Sequence, residues 1–107
     1  MTAAKPPTWY VYVLECVDGS LYTGIAIDVA RRYASHAVGK GGRYTRSHPP
    51  KRVLSVMPFP DRSSASREEY RIKQLPLAEK RALCSRYPAP SLHVLASRPR
   101  GKPTATG

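Results

Sequence analysis

The stretch that decides the fold is residues 22–36, YTGIAIDVARRYASH. It opens on an aromatic strand end, passes Gly24, and starts a helix behind Asp28, whose carboxylate can cap the first free backbone N–H groups. On that helix Val29, Arg32, Tyr33 and His36 fall on one stripe by the three- and four-residue spacing. Arg32 and His36 therefore lie one turn apart on the same face. Arg31 is turned away by about 100°. A guanidinium on that side of the helix stands there either by accident or because something negative has to be held.

Working outward, TWYVYVLECV (8–17) is aromatic and β-branched and runs into DGS (18–20), the signature of a strand entering a hairpin turn. LYTGIAI (21–27) is the returning strand. The first strand is apolar almost throughout, as a central strand covered on both faces would be. Past the helix, which Gly39 ends, GKGGRYTRSHPP (39–50) reads as a Gly-rich basic loop. RVLSVMPF (52–59) is a third strand, placed at a sheet edge by Pro58 and Pro60. Ser63 or Ser64 caps a helix over ASREEYRIKQL (65–75), Pro76 stops it, and Leu77 to Arg86 forms a last helix. The expected fold class is α+β: a three-stranded, largely antiparallel sheet flanked by three helices, in the order β-β-α-β-α-α.

At 107 residues the chain makes one small domain, expected over residues 8–87 with disordered tails at 1–7 and 97–107. No run of 18 apolar residues and no secretory pattern is present, which argues against a membrane partner and for the cytoplasm. Cys16 and Cys84 lack metal-ligand spacing and read as ordinary buried thiols. The formal charge of +11 is unevenly spread. Between Val29 and Pro60 stand seven basic residues (Arg31, Arg32, Lys40, Arg43, Arg46, Lys51, Arg52) and no acid. A segment of one sign favours a polyanionic partner, nucleic acid first.

Several side chains could build chemistry on that surface. Tyr10 and Tyr12 share a strand face, and Tyr22 can join them from the neighbouring strand. Glu69 shares a helix face with Ile72 and Lys73 at the border of the core, whereas Glu68 is expected in solvent. One carboxylate cannot form a structural metal site, but it can hold a Mg²⁺ that keeps waters and a substrate phosphate as its other ligands. Phenols, a guanidinium, a carboxylate and a basic approach are the parts of a phosphodiesterase. A non-catalytic nucleic-acid binder and a basic protein-interaction module are the alternative readings.

These residues resemble the GIY-YIG endonuclease family. Its first signature element corresponds to YVY at 10–12 and its second to YTG at 22–24, with Tyr10 where the family usually has Gly and Thr23 where it has Ile. The arginine eight residues after the signature glycine is Arg32, and the histidine four residues later is His36. SREEYRIKQL is similar to the segment carrying the family's metal-binding glutamate, which aligns with Glu69. The small single-domain bacterial branch is the nearest in pattern, and with it the catalytic module of the eukaryotic structure-selective nuclease Slx.

The resemblance implies a nuclease acting on DNA, structure-selective and serving repair or recombination, with one Mg²⁺ or Mn²⁺ on Glu69 and Arg32 on the scissile phosphate. Tyr12, Tyr22 or His36 would orient or deprotonate the attacking water. Lys40, Arg43, Tyr44, Thr45 and Arg46 would contact the nucleic acid, Tyr44 by stacking. No added DNA-binding module is present, so holding falls to the loop and charged tails or to a protein partner that supplies specificity. A nucleoid-associated cytoplasmic location follows.

Overall fold

The computed structural model describes residues 6–90. The elements are β1 (Trp9–Cys16), β2 (Leu21–Ala26), α1 (Val29–Ala37), α2 (Arg43–Ser47), β3 (Pro50–Phe59), α3 (Arg62–Lys73) and α4 (Leu77–Arg86). The three strands form one antiparallel sheet in the order β2-β1-β3. The fold is α+β, as expected.

β1 takes the centre because it can bury both faces: Val11 to Cys16 are all buried. Side chains alternate across the sheet. Val11 points to one side, where Met57, Ala65, Ile72 and Leu83 form a core beneath α3 and α4. Tyr12 and Leu14 belong to a second cluster, packed with Ala26 and Val29. Cys16 and Cys84 are buried free thiols, as expected. The β1–β2 turn closes through Gly19 at φ +87°, a conformation that favours glycine, while the Asp18 carboxylate accepts hydrogen bonds from the Ser20 N–H and hydroxyl.

Three local expectations need correction. The basic segment is not all loop, since Arg43–Ser47 winds into the short helix α2 behind Gly42, giving four helices among the described residues. Asp61, not Ser63 or Ser64, caps α3: its carboxylate accepts from the Ser64 backbone N–H at 2.8 Å, and Ser64 is already a helical residue. Pro76 does not end α3, which stops at Lys73, but stands at the N-cap of α4. Asp28 caps α1 as expected, accepting from the Arg31 N–H at 3.1 Å. Beyond α4, Pro88 forms an isolated antiparallel bridge with Ser55 on the outer edge of β3. Of the tails expected to be disordered, residues 1–5 and 97–107 lie outside the described residues.

One ion cluster ties the sheet to α4, and no local pattern in the sequence points to it. Glu15, at the end of β1, accepts from Arg52 Nε of β3 at 2.6 Å and from Arg81 Nη1 of α4 at 3.1 Å. Those two hydrogen bonds, Arg52 first, hold its carboxyl below the usual range. Arg52 therefore serves the fold, and the basic segment has one cation fewer to offer a ligand.

Candidate active site

Tyr12 stands mid-strand in β1, opposite Gly24 of β2. Its phenol lies across that glycine: a Cβ at residue 24 would come within 2.7 Å of Tyr12 Cζ, so a side chain there would push the ring away. The Tyr12 hydroxyl ends 3.0 Å from His36 Nε2 on α1, and the two are hydrogen-bonded. The chain of bonds continues from His36 Nδ1 to Thr45 Oγ1 on α2, at 2.7 Å. Tyr12, His36 and Thr45 are 2 %, 1 % and 1 % exposed, so water does not compete for these bonds. Gly41 leans on the imidazole so closely that a Cβ there would overlap Nδ1.

Tyr22 is the second phenol. Its ring meets His36 edge-on at 5.1 Å between centroids and lies 6.4 Å from the ring of Tyr12. The two tyrosines share a sheet face, as the strand alternation requires. Tyr22 is only partly buried, so of the two it is the one that meets solvent.

Electrostatics fix the protonation of the buried pair. Burial pushes the Tyr12 phenol well above its ordinary range, with Tyr22 adding and the Arg32 cation opposing. Burial also lowers His36, and Arg32 lowers it further. At neutral pH the pair is a neutral phenol beside a neutral imidazole, poised for a proton to pass between them.

Arg32 is exposed one turn before His36, and both buried residues feel its charge. Arg31 acts comparably on neither. The separation of the two is nevertheless smaller than the helix wheel implies. Both border one cleft of ≈ 360 Å³ whose other walls include Trp9, Ile27 and Ser35.

Glu69 comes from α3 at the border of the core, 23 % exposed at its side chain and ion-paired with Lys73 Nζ at 3.1 Å. Its charge reaches Tyr12, raising the phenol slightly. Glu68, expected in solvent, is as buried as Glu69 and is held by Arg71 through two hydrogen bonds. Among the described residues no three His, Cys, Asp or Glu side chains converge on a point that could hold a metal ion. A hard carboxylate whose charge reaches Tyr12, with no two further His, Cys, Asp or Glu side chains beside it among the described residues, fits Mg²⁺ or Mn²⁺ retained through water and phosphate oxygens, and does not fit a structural zinc.

The basic segment divides in two. Lys40, Arg43 and Arg46 are exposed and can meet phosphates. Thr45 is not a surface contact, because it is buried against His36. Tyr44 is 38 % exposed, yet His48 covers its ring in a parallel stack and Tyr22 lies offset beside it at 5.8 Å. The stacking face expected to take a base is thus occupied from within the chain. Sequence reasoning misses His48, although its four-residue distance from Tyr44 marks two side chains that meet once the segment is helical. The part played by Gly41 has no such sign.

The antiparallel sheet thus carries two phenols on one face, and the helix that follows it carries an arginine and a histidine. Residues 8–82 match the GIY-YIG catalytic domain, and the chain belongs to the GIY-YIG family. Among its relatives is a UPF0213 protein of Cupriavidus pinatubonensis, 50 % identical over 82 residues that cover 77 % of this chain and 91 % of the relative. A UPF0213 protein of Halobacterium salinarum is 50 % identical over 74 residues, covering 69 % and 96 %. Two solution NMR structures are similar. The UPF0213 protein BH0048 from Bacillus halodurans is 46 % identical with TM-score 0.50, covering 78 % of this chain and 88 % of that one. The protein EF2693 from E. faecalis is 31 % identical with TM-score 0.53, covering 78 % and 90 %.

Proposed function

We propose that the protein is a metal-dependent endonuclease that hydrolyses phosphodiester bonds in DNA, selects its substrate by structure and serves repair or recombination. The observation that carries this reading is the buried Tyr12–His36–Thr45 chain of hydrogen bonds lying beside Arg32 and the partly exposed Tyr22. Neutral His36 is the proton acceptor of the group. Tyr12, too weak an acid to stand as a phenolate, works by giving its proton to Nε2 while receiving one from the attacking water. Tyr22 orients that water from the solvent side. Arg32 binds the scissile phosphate and offsets the charge that develops on its oxygens.

Glu69 is the residue that would hold one Mg²⁺ or Mn²⁺, which supplies positive charge at the phosphate. Exposed Lys40, Arg43 and Arg46 hold the flanking backbone, and a protein partner adds specificity that so small a surface lacks. No described helix is long and apolar enough to cross a membrane. We place the enzyme in the cytoplasm, at the nucleoid, where its substrate lies.

The test is incubation of wild type, Glu69→Ala and Arg32→Ala with flapped, branched and single-stranded DNA, in Mg²⁺, Mn²⁺ or EDTA. Cleavage by wild type that EDTA and either substitution abolish supports the proposal. Binding without cleavage in any metal would leave a nucleic-acid-binding module in its place.

A further inference from the structure

We propose that Thr45 is a positioning residue for the reaction: its oxygen accepts the His36 Nδ1–H and so turns the lone pair of Nε2 toward Tyr12. The role in catalysis rests on the nuclease reading above, while the hydrogen-bond assignment stands on the geometry alone.

A neutral imidazole carries one N–H, and here both ring nitrogens are hydrogen-bonded. Two arrangements satisfy the distances. In the first, Nδ1–H donates to Thr45 Oγ1 and the Tyr12 hydroxyl donates to Nε2. In the second, the Thr45 hydroxyl donates to Nδ1 and Nε2–H donates to the Tyr12 oxygen. They differ in what is left over. The second arrangement strands the Tyr12 O–H, since among the described residues its hydroxyl is bonded to His36 alone. That would be an unpaired donor on a side chain 2 % exposed. The first leaves over the Thr45 hydroxyl hydrogen instead, and it is the better pairing because the phenol, the stronger acid of the two hydroxyls, faces the basic nitrogen while the alcohol oxygen, the better acceptor, takes the N–H. Gly41, packed on the ring, blocks rotation to a different geometry.

The consequence is directional. With Nε2 unprotonated, a water admitted to the Tyr12 oxygen only when substrate is bound gives it a proton as the Tyr12 hydroxyl proton passes to Nε2. The hydroxide attacks phosphorus, and the leaving oxygen takes the electron pair of the broken P–O bond. The imidazolium, still held by Thr45 at Nδ1, later returns its proton through Tyr12 to solvent, from which the leaving oxygen takes the proton that makes it a hydroxyl. The groups facing His36 are Tyr12 from β1, Tyr22 from β2, Arg32 from its own helix and Thr45 from α2. Of these, Thr45 alone meets Nδ1.

Thr45→Val keeps the volume and removes the acceptor. Nδ1–H would then be buried without a partner while Nε2 still takes the Tyr12 hydroxyl, so the ring should keep the Nδ1–H form and lose the bond that fixes its orientation. Thr45→Ser should restore the wild-type form. Long-range ¹H–¹⁵N NMR reads the tautomer directly in a chain with three histidines, His36 being assigned by substitution. Expected are a hydrogen-bonded Nδ1–H with a downfield-shifted proton in wild type and Thr45→Ser, and an upfield move of that proton in Thr45→Val. Single-turnover cleavage of flapped DNA should fall on the order of 10²-fold in Thr45→Val and only a few-fold in Thr45→Ser. The acid limb of the valine variant's pH–rate profile should move down, because imidazolium loses a hydrogen bond. Nε2–H in the wild type overturns the assignment without recourse to any variant, so a valine variant that fails to fold does not protect it. An Nδ1–H proton shift that does not move in folded Thr45→Val overturns it equally. Nδ1–H in a wild type that cleaves nothing would retain the hydrogen bond and discard its role in the reaction.

Discussion

His48 lies flat on Tyr44, ring centroids 4.1 Å apart and planes 7° from parallel. The two residues flank the end of one short helix, and the stack locks that helix beside the hairpin, where His48 Nε2 is 3.8 Å from an Asp18 oxygen. His48→Ala should therefore cost about 1 kcal/mol, the usual worth of such a pair, and lower Tm by roughly 4–8 °C. Differential scanning calorimetry of the two proteins at one pH measures it.

Phosphate binding should follow charge and not stacking. Replacing Lys40, Arg43 and Arg46 together by Ala should weaken binding to all DNA sequences alike and flatten the log–log salt dependence by about 0.7 to 0.9 for each phosphate left without its cation. Tyr44→Leu, which removes the ring and keeps the charge, should leave that slope alone. Fluorescence anisotropy titrations between low and physiological salt give both slopes.

The two adjacent arginines share one charge sign and one cleft, but only Arg32 acts on Tyr12 and His36. Arg32→Ala should lose on the order of 3 kcal/mol of transition-state stabilisation, or roughly 10²-fold in rate, with a smaller change in affinity. Arg31→Ala should weaken binding slightly and spare the rate constant. Arg32→Lys should remain poor, because an ammonium cannot reproduce the planar fork. Single-turnover rates at saturating protein separate the two; equal losses would put the phosphate between them.

Acid should weaken the fold through Glu15. Its carboxyl titrates below the usual range in the folded chain because Arg52 and Arg81 hold the charged form. The stability it lends is present above the unfolded value of about 4.3 and is lost as pH falls through the lower folded value. Urea midpoints measured across that window should fall for wild type and change less for Glu15→Gln, which should be the weaker protein at neutral pH.

What is legible in the sequence follows from periodicity. The apolar run of β1, the Asp28 cap, the Tyr12–Tyr22 face and the Arg32–His36 stripe all depend on neighbours a few residues away, and all stand in the structure. What is hidden depends on distance in space. Thr45 reads as a surface residue while its segment is taken for a loop, and only the folded helix carries it under His36. Glu15 and its arginines come from three elements, the farthest 66 residues apart, so no local pattern announces them. Tyr44 reads as available to a base because His48 enters stacking distance only once that helix has formed.

Glu69 reaches the site from α3, whereas Tyr12, Tyr22, Arg32, His36 and Thr45 all lie on the first four elements of the chain. It is ion-paired with Lys73, 23 % exposed at its side chain, and belongs to neither buried apolar cluster. Loss of this carboxylate would then leave the sheet, the buried hydrogen bonds and the cationic strip standing. If Glu69 has the role proposed for it, a lineage in which it drifts would inherit a well-folded domain with its hydrolytic capacity silenced, and the residue at this position would separate working members from retired ones.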